Sequence, residues 1–496
     1  MTGTSGTPGT TRPVGPDAPT AVPAGLAVEL NALNPIPEEE RHGTPRTLFW
    51  PWFGANVSVL GLSYGSWLLA FGVSFAQALV VGLVGIVVSF LLCGFVSLAG
   101  KRGSAPTMVL SRAAFGVEGN RLPAVISWVL TVGWETVLAS LAVLATATVF
   151  GELGWGGGTP TKVIALAVVV AVVIAAGVFG FRVVMRLQAL ITVVTGVLTV
   201  VYVLLVADHV DLDTVTALPA GSTPAVIGGL VFMMTGFGLG WVNAAADYSR
   251  YLPRSASSSG IVTWTTVGGA LAPVLLVAFG LLLAGSSAEL SEAIGADPIG
   301  ALATLLPTWA LVPFALVAVL GLIGGAALDI YSSGLALLAA GIRIPRYLAA
   351  AVDGVIMAVG AVYFVFGPGD FVWKFQGFLI TLGVPIAAWC GVFLADVLLR
   401  RGAYVHADLY DGRGRYGAVN WLSVGLVVVG TVIGWGLVTN ASAEWLTWQG
   451  YLLDPLGLGG KQGDWAFANL GVLAALVIGF GGGLLGRAAI RRQEAV

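Results

Sequence analysis

The chain is 496 residues long, 57% hydrophobic and only 10% charged, where a soluble globular protein carries about 25% charged residues; one large soluble core is excluded. A formal net charge of −2 gives no footing for a nucleic-acid partner. Cys93 and Cys390 both lie inside apolar blocks, so neither a disulfide framework nor a cysteine-based metal site is available.

Residues 1–45 are rich in Thr, Gly and Pro, carry the acidic run Glu38–Glu40, and lack the apolar stretch of a cleavable leader. They are expected to form a disordered cytoplasmic tail. Beyond them, apolar blocks of bilayer-crossing length alternate with breakers. Twelve transmembrane helices are predicted: 47–71, 75–99, 122–150, 162–181, 187–207, 225–246, 260–285, 308–340, 347–367, 371–399, 418–439 and 465–488. The fold class is therefore an all-α polytopic membrane protein in a lipid bilayer. Spans one to five (46–210) and six to ten (225–400) form two five-helix halves, followed by spans eleven and twelve (401–488) and a short tail (489–496).

The basic residues orient the chain. Of its 23 Lys and Arg, all but Lys162, Lys374 and Lys461 fall in the tails or the even-numbered loops. Basic loops stay cytoplasmic, which places both termini inside the cell membrane. Asp208, Asp211, Asp213, Glu289 and Glu292 are among the acidic residues on the opposite side.

Two spans combine glycine, aromatic and polar residues at mid-membrane: Trp52-Phe-Gly-Ala-Asn-Val-Ser58 in span one and Gly236-Phe-Gly-Leu-Gly-Trp241-Val-Asn243 in span six. These are the first helices of the two halves. Transporters built from inverted repeats break corresponding helices there, turning freed backbone groups toward substrate or ion. Ionisable residues inside spans are expensive and point to function, which singles out Glu135, beside Trp134, and Asp329. Asp247, Asp353 and Asp396 lie nearer the basic ends and are expected to pair with loop cations. Trp134 and Trp241 sit deep, beside polar or glycine-rich sequence, where two indoles can sandwich a flat ring. A neighbouring carboxyl would read the donors and acceptors of that ring.

The stretch Asp247-Tyr-Ser-Arg-Tyr-Leu-Pro253, with Trp241 before it, resembles the end of the sixth helix in the nucleobase:cation symporter family 1, purine–cytosine permease branch. Trp52-Phe-Gly-Ala-Asn56, Leu110-Ser-Arg-Ala-Ala-Phe-Gly-Val117, Gly133-Trp134, Asp329-Ile-Tyr-Ser-Ser-Gly-Leu335, Pro385 and Ala395-Asp396 extend the resemblance over about residues 43–400. It implies a LeuT-type five-plus-five inverted repeat with two extra C-terminal helices. It also implies cation-coupled import of a base, or of allantoin, hydantoin or thiamine as in sister branches. By position, Trp134 and Trp241 match aromatic substrate contacts, Ser58 a polar contact in span one, and Asp329 a substrate-binding Asn. Phe237, at the predicted break, joins the substrate-binding set with Glu135. Relatives that use sodium carry a Ser/Thr pair in span eight where this chain has Gly324-Gly325, although Gly54 and Val57 can still offer span-one carbonyls.

No cofactor is expected beyond a coupling ion, H+ or Na+. Sodium favours a cage of oxygen ligands, while a proton needs one titratable group poised near neutrality; Glu135 and Asp329 favour the proton. An enzyme would need a clustered nucleophile, metal ligands or an acid–base pair, and His42, His209 and His406 all lie outside the spans. A channel would show charge rings or carbonyl filters. The competing reading is a symporter of the same fold for a non-ring solute such as an amino acid.

Overall fold

A computed structural model describes residues 33–179, 181–440 and 444–495, and every regular element among them is a helix. Among the described residues nine helices are each long and apolar enough to cross a bilayer: Phe75–Gly103, Arg121–Glu152, Thr159–Phe179, Gln188–His209, Thr223–Ser249, Ser258–Ser286, Thr308–Ala339, Arg346–Phe366 and Phe371–Leu399. They are spans two to ten of the sequence reading, in order. Span one is split into Phe49–Asn56 and Leu60–Leu69. Spans eleven and twelve are Trp421–Gly436 and Leu470–Leu485, 16 residues each, or about 24 Å at 1.5 Å per residue. Outward side chains such as Val168, Leu204, Val359 and Val477 are more than half exposed, as a lipid-facing surface requires.

The two expected breaks are present, and their local chemistry differs. In span one, Val57 leaves the helix (φ −81°, ψ 77°). Its N–H still donates to the Phe53 carbonyl at 2.8 Å, but the Ser58 N–H turns back to Asn56 O at 3.0 Å. The Ser58 hydroxyl then accepts from Leu60 N at 3.3 Å and starts the second half. In span six the chain turns at Phe237 (φ −123°, ψ −115°). The groups freed there are taken by protein: Tyr64 donates its hydroxyl to Gly236 O at 3.2 Å, and Gly238 N–H donates to Ser89 Oγ at 3.0 Å. Gly238 must be glycine, because a Cβ would run into the Ser89–Phe90 backbone of span two.

Helices of the two halves pack closely where both are small; an added Cβ on Gly65 of span one would collide with the Gly280 backbone of span seven. Several basic residues cap spans that end on their face. Arg41 donates to Lys101 O at the end of span two, at 2.6 Å, and Arg346 to Gly177 O and Val178 O of span four, at 2.9 and 3.0 Å. Arg112 reaches Ala339 O of span eight at 3.3 Å, and Arg102 reaches Val397 O of span ten at 2.6 Å. Cations at helix C-termini meet orphan carbonyls and the negative end of the dipole. Four even-numbered spans therefore end on one face, called here the basic face; the opposite one is the acidic face.

Residues 1–32 of the expected tail lie outside the described residues. From Leu33 the chain departs from that expectation and is packed. Ile36 is buried and its N–H donates to Ser104 O at 2.7 Å. Arg41 donates through Nε to Leu252 O at 2.9 Å, and His42 N–H to Tyr251 O at 2.8 Å. The segment is polar in composition, yet each of these groups finds a loop carbonyl, a complementarity that composition does not encode.

Candidate functional site

Most of the sequence-predicted residues fall into two groups around span three. Trp134 looks toward spans six and ten. Gly133 leaves room for the Phe378 ring, and Trp134 meets Phe378 and Phe375 edge-on, with centroids 6.0 and 5.5 Å away. Its indole N–H is buried without a partner and stands over Gly240, where a Cβ would sit 3.0 Å from it. Trp241, the next residue of span six, is half-buried and packs edge-on against Trp52 at 5.8 Å. Trp52 in turn meets Tyr248 at 5.3 Å. The two indoles thus border one turn of span six from different sides, and among the described ring contacts they do not touch each other. Phe237, at the break itself, tilts onto Tyr64 at 4.5 Å.

Toward the acidic face this group continues as a plug of rings. Tyr64 contacts Phe232 (5.4 Å) and Trp67 (5.0 Å), and Trp67 lies against Phe375 (5.3 Å) and Phe371 (6.5 Å, stacked). Phe71 adds a contact with Phe232 at 5.7 Å. Beyond the rings opens a cleft of about 370 Å³, lined in part by Phe71, Ser222, Trp373, Gln376 and Asp464.

The second group is polar. Glu135 follows Trp134 by about 100° around the helix and looks toward spans eight and nine. It is fully buried, and neither of its carboxyl oxygens has a hydrogen-bond partner. Asp329 of span eight is 1% exposed, and both its oxygens are likewise unpartnered. Unpaired buried carboxyls are costly, so a donor or a proton has to reach them during the protein's work. The Ser333 hydroxyl neighbours Glu135 but donates to Asp353 Oδ2 of span nine at 2.9 Å, while Trp128 Nε1 donates to Asp353 Oδ1 at 2.7 Å.

The expectation that three aspartates pair with loop cations is met by Asp396, which Arg400 grips through two nitrogens at 2.6 and 3.0 Å. Asp353 departs from it, because both its oxygens take neutral donors inside the bundle. Asp247 accepts from Thr107 N and Oγ1 at 2.7 and 2.8 Å. Thr107 belongs to a short helix, Thr107–Leu110, that lies across the end of span six.

A third place was legible in part: the sequence offers Gly54 and Val57 of span one opposite Gly324 of span eight, but not the span-five side chains beside them. Where spans one, five and eight meet, Gly54 leaves no room for a side chain, because a Cβ would collide with Thr192 Oγ1 and lie 2.7 Å from Gln188 Oε1. Gln188 donates its amide to Gly324 O, and its Oε1 would lie 3.4 Å from a Cβ on Gly324. Gln188 Oε1 and the hydroxyls of Thr192, Thr195 and Thr199 are all buried without partners. Their numbering follows one helical face. Thr131, Thr136 and Thr235 in other spans donate to the carbonyl four residues back; these three do not. The Val57 carbonyl and Ser58 face Gly321, the carbonyl 3.3 Å from a Cβ built there. Span one thus meets span eight through backbone, and span five supplies the side-chain oxygens beside it. The residue pattern Gln-x3-Thr-x2-Thr-x3-Thr carried this signal within an otherwise apolar span.

Ser58, Trp134, Glu135, Phe237 and Asp329 are each 9% exposed or less, so a ligand reaches them only when helices part.

A family of permeases for cytosine/purines, uracil, thiamine and allantoin matches residues 35–453. The putative purine-cytosine permease YxlA of Bacillus subtilis is 25% identical over 415 residues, covering 80% of this chain and 85% of that one. The purine-cytosine permease FCY2 of Saccharomyces cerevisiae is 22% identical over 268 residues, 53% of this chain and 49% of its own. In architecture the chain is similar to Mhp1, a nucleobase-cation-symport-1 transporter solved closed with bromovinylhydantoin bound. The TM-score is 0.68 at 19% identity, covering 95% of this chain and 100% of that one. At that identity the likeness speaks for the fold, the inverted-repeat bundle with two added helices.

Proposed function

Since the chain belongs to the family of permeases for cytosine/purines, uracil, thiamine and allantoin, we propose that it imports a flat nitrogen heterocycle of the cytosine or purine kind. It is a multi-pass, cation-coupled transporter of the nucleobase type, and its family and fold are those of transporters rather than enzymes. The observation that carries the substrate reading is the pair of indoles bordering the Gly240 turn, with the Trp134 N–H still to be satisfied. A ring lying there gains stacking and a hydrogen bond to a carbonyl or ring nitrogen. An amino acid would use little of this surface. The basic face, by its loops, is the cytoplasmic one, with both termini there and the bilayer that of the cell.

Coupling is assigned to a proton on Glu135, with Asp329 as its neighbour. A protonated carboxyl donates a hydrogen bond and an ionised one does not, so the site changes what it prefers to bind when the proton leaves; that is linkage. A second reading has its own observation: Gln188 Oε1 and Thr192 Oγ1, unpartnered beside the span-one break, are oxygen ligands suited to a sodium ion.

One experiment separates these readings. Proteoliposomes are given an external radiolabelled panel of cytosine, adenine, guanine, hypoxanthine, uracil, allantoin, hydantoin and thiamine, under an imposed pH or Na+ gradient. A base is expected to accumulate with the pH gradient alone, and Glu135→Gln to bind it without accumulating it. Accumulation that follows Na+ and ignores pH moves the coupling ion to the Gln188–Thr192 junction. Trp134→Ala should weaken binding about ten-fold or more, given roughly 1–3 kcal/mol per stacked base; unchanged affinity in both Trp134→Ala and Trp241→Ala removes the substrate site.

A further inference from the structure

We propose that Asp353 is the proton acceptor that empties Glu135 toward the basic face, with Ser333 as the bridge between them; this rests on the proton reading of Glu135. Asp353 lies two turns into span nine from Arg346, whose guanidinium caps span four on the basic face. Trp128, which holds Asp353, is likewise two turns from the basic end of span three, where Arg121 begins the helix. Glu135 is two further turns along the same helix. The order from the membrane middle to the basic face is therefore Glu135, then Asp353.

The contacts are those of an acceptor held ready. Asp353 is fully buried, yet its oxygens are fixed by an indole N–H and a serine O–H, neutral donors that an ionised carboxylate accepts from without being locked to a cation. Glu135, also fully buried, has no donor to either oxygen, and Ser333 stands beside both. Glu135 is therefore a carboxyl with the bridging serine as its neighbour. The charged and titratable groups around Asp353 come from three elements. Span three brings Glu135, which has Asp329 of span eight as a further neighbour, and on the helix of Asp353 itself Arg346 lies over the Tyr331 ring of span eight at 5.6 Å. Span four packs there through Ile174 against Gly354 and Gly177 against Ile330 and Ala350.

The transfer balances. The proton on Glu135 passes to Ser333 Oγ while the serine's own proton moves to Asp353 Oδ2. One O–H bond breaks on Glu135 and one forms on Asp353, and the serine is unchanged. Glu135 is left as a carboxylate and Asp353 as a neutral acid, which then loses its proton at the basic face.

The test is Asp353→Asn in proteoliposomes, compared in two modes. Substrate-for-substrate exchange never requires the proton to leave, whereas net uptake driven by a pH gradient does. Asp353→Asn should keep binding and exchange within about two-fold and lose at least ten-fold of pH-driven net uptake, and Asp353→Glu should restore it. Ser333→Ala keeps the carboxyl and removes the bridge, and it should slow net uptake while leaving exchange intact. Wild-type net uptake in Asp353→Asn overturns the relay. Parallel loss of exchange and net uptake in Asp353→Asn and Ser333→Ala also overturns it, since that pattern belongs to a residue needed only for packing. Undiminished pH-driven uptake in Glu135→Gln marks instead the failure of the proton reading on which the relay stands.

Discussion

The two ends of the central site are closed by opposite chemistry. Toward the acidic face the seal is aromatic, with Trp67, Phe232, Phe371 and Phe375 interlocked around Tyr64. Toward the basic face it is polar. Thr107 joins Asp247, accepts from Ala246 N at 3.0 Å, and lies near Ser111, whose hydroxyl accepts from Trp389 Nε1 at 2.9 Å. Arg400 and Asp396 pair while both are nearly buried. An apolar seal is lost in proportion to the area that separates. A polar seal exchanges its bonds for water, so its net strength is small while each bond that loses one partner is expensive. Opening to one side is thus a packing event, and opening to the other is a hydrogen-bonding event that charge can influence.

Three substitutions probe this contrast through Cys93, a buried thiol in span two 4.0 Å from the Trp241 carbonyl, in a Cys390→Ala background. The largest effect is expected from Phe375→Ala. Removing a buried ring costs about 3–5 kcal/mol, mostly from the closed aromatic seal, so an impermeant thiol reagent should reach Cys93 from the acidic face. Labelling from the basic face instead would show that the rings are not the outer closure. Next comes Thr107→Val, nearly the same in shape, which leaves Ala246 N–H and an Asp247 oxygen each short of one bond at about 1–3 kcal/mol. Cys93 should then label from the basic face, and no change there would mean the polar seal lies elsewhere. The smallest effect is expected from Asp408→Asn. It breaks a partly exposed pair with Arg415 (2.6 Å) of a kind worth about 0–1 kcal/mol. Labelling should match the parent from both sides, and a clear shift would extend the polar seal outward to this rim.

Much of this was written in the sequence. The order of all twelve helices, both breaks, and the burial of Trp134, Glu135 and Asp329 follow from hydropathy, glycine and the cost of charge in lipid. What composition does not carry is which buried groups meet. Asp353 reads as a residue near a basic end, and only the approach of spans three and eight gives it Trp128 and Ser333 in place of a cation. Glu135 and Trp134 are adjacent in sequence, yet the helix turns them to different neighbours, separating the carboxyl from the rings. Thr192, Thr195 and Thr199 count as tolerable membrane residues, since threonine normally satisfies itself against its own helix. Here that habit is not followed, which only the packed bundle reveals. The docking of 33–45 depends on carbonyls from two distant places in the chain, 101–104 and 251–252, and on the Tyr410 hydroxyl, which donates to Leu33 O.

Those threonines bear on where the bundle parts. Most helix seams resist separation because bonds across them must be surrendered. Along span five, three threonine hydroxyls and Gln188 Oε1 have nothing to surrender, and the amide of Gln188 on Gly324 O is the one bond described for these four side chains. Water entering this seam would gain acceptors and donors as it advanced, so wetting favours separation. This stretch of span five is therefore the part of the seam that water loosens, while Tyr202, which donates to Leu302 O at 3.1 Å and tilts onto Phe314 of span eight at 5.1 Å, fastens its far end.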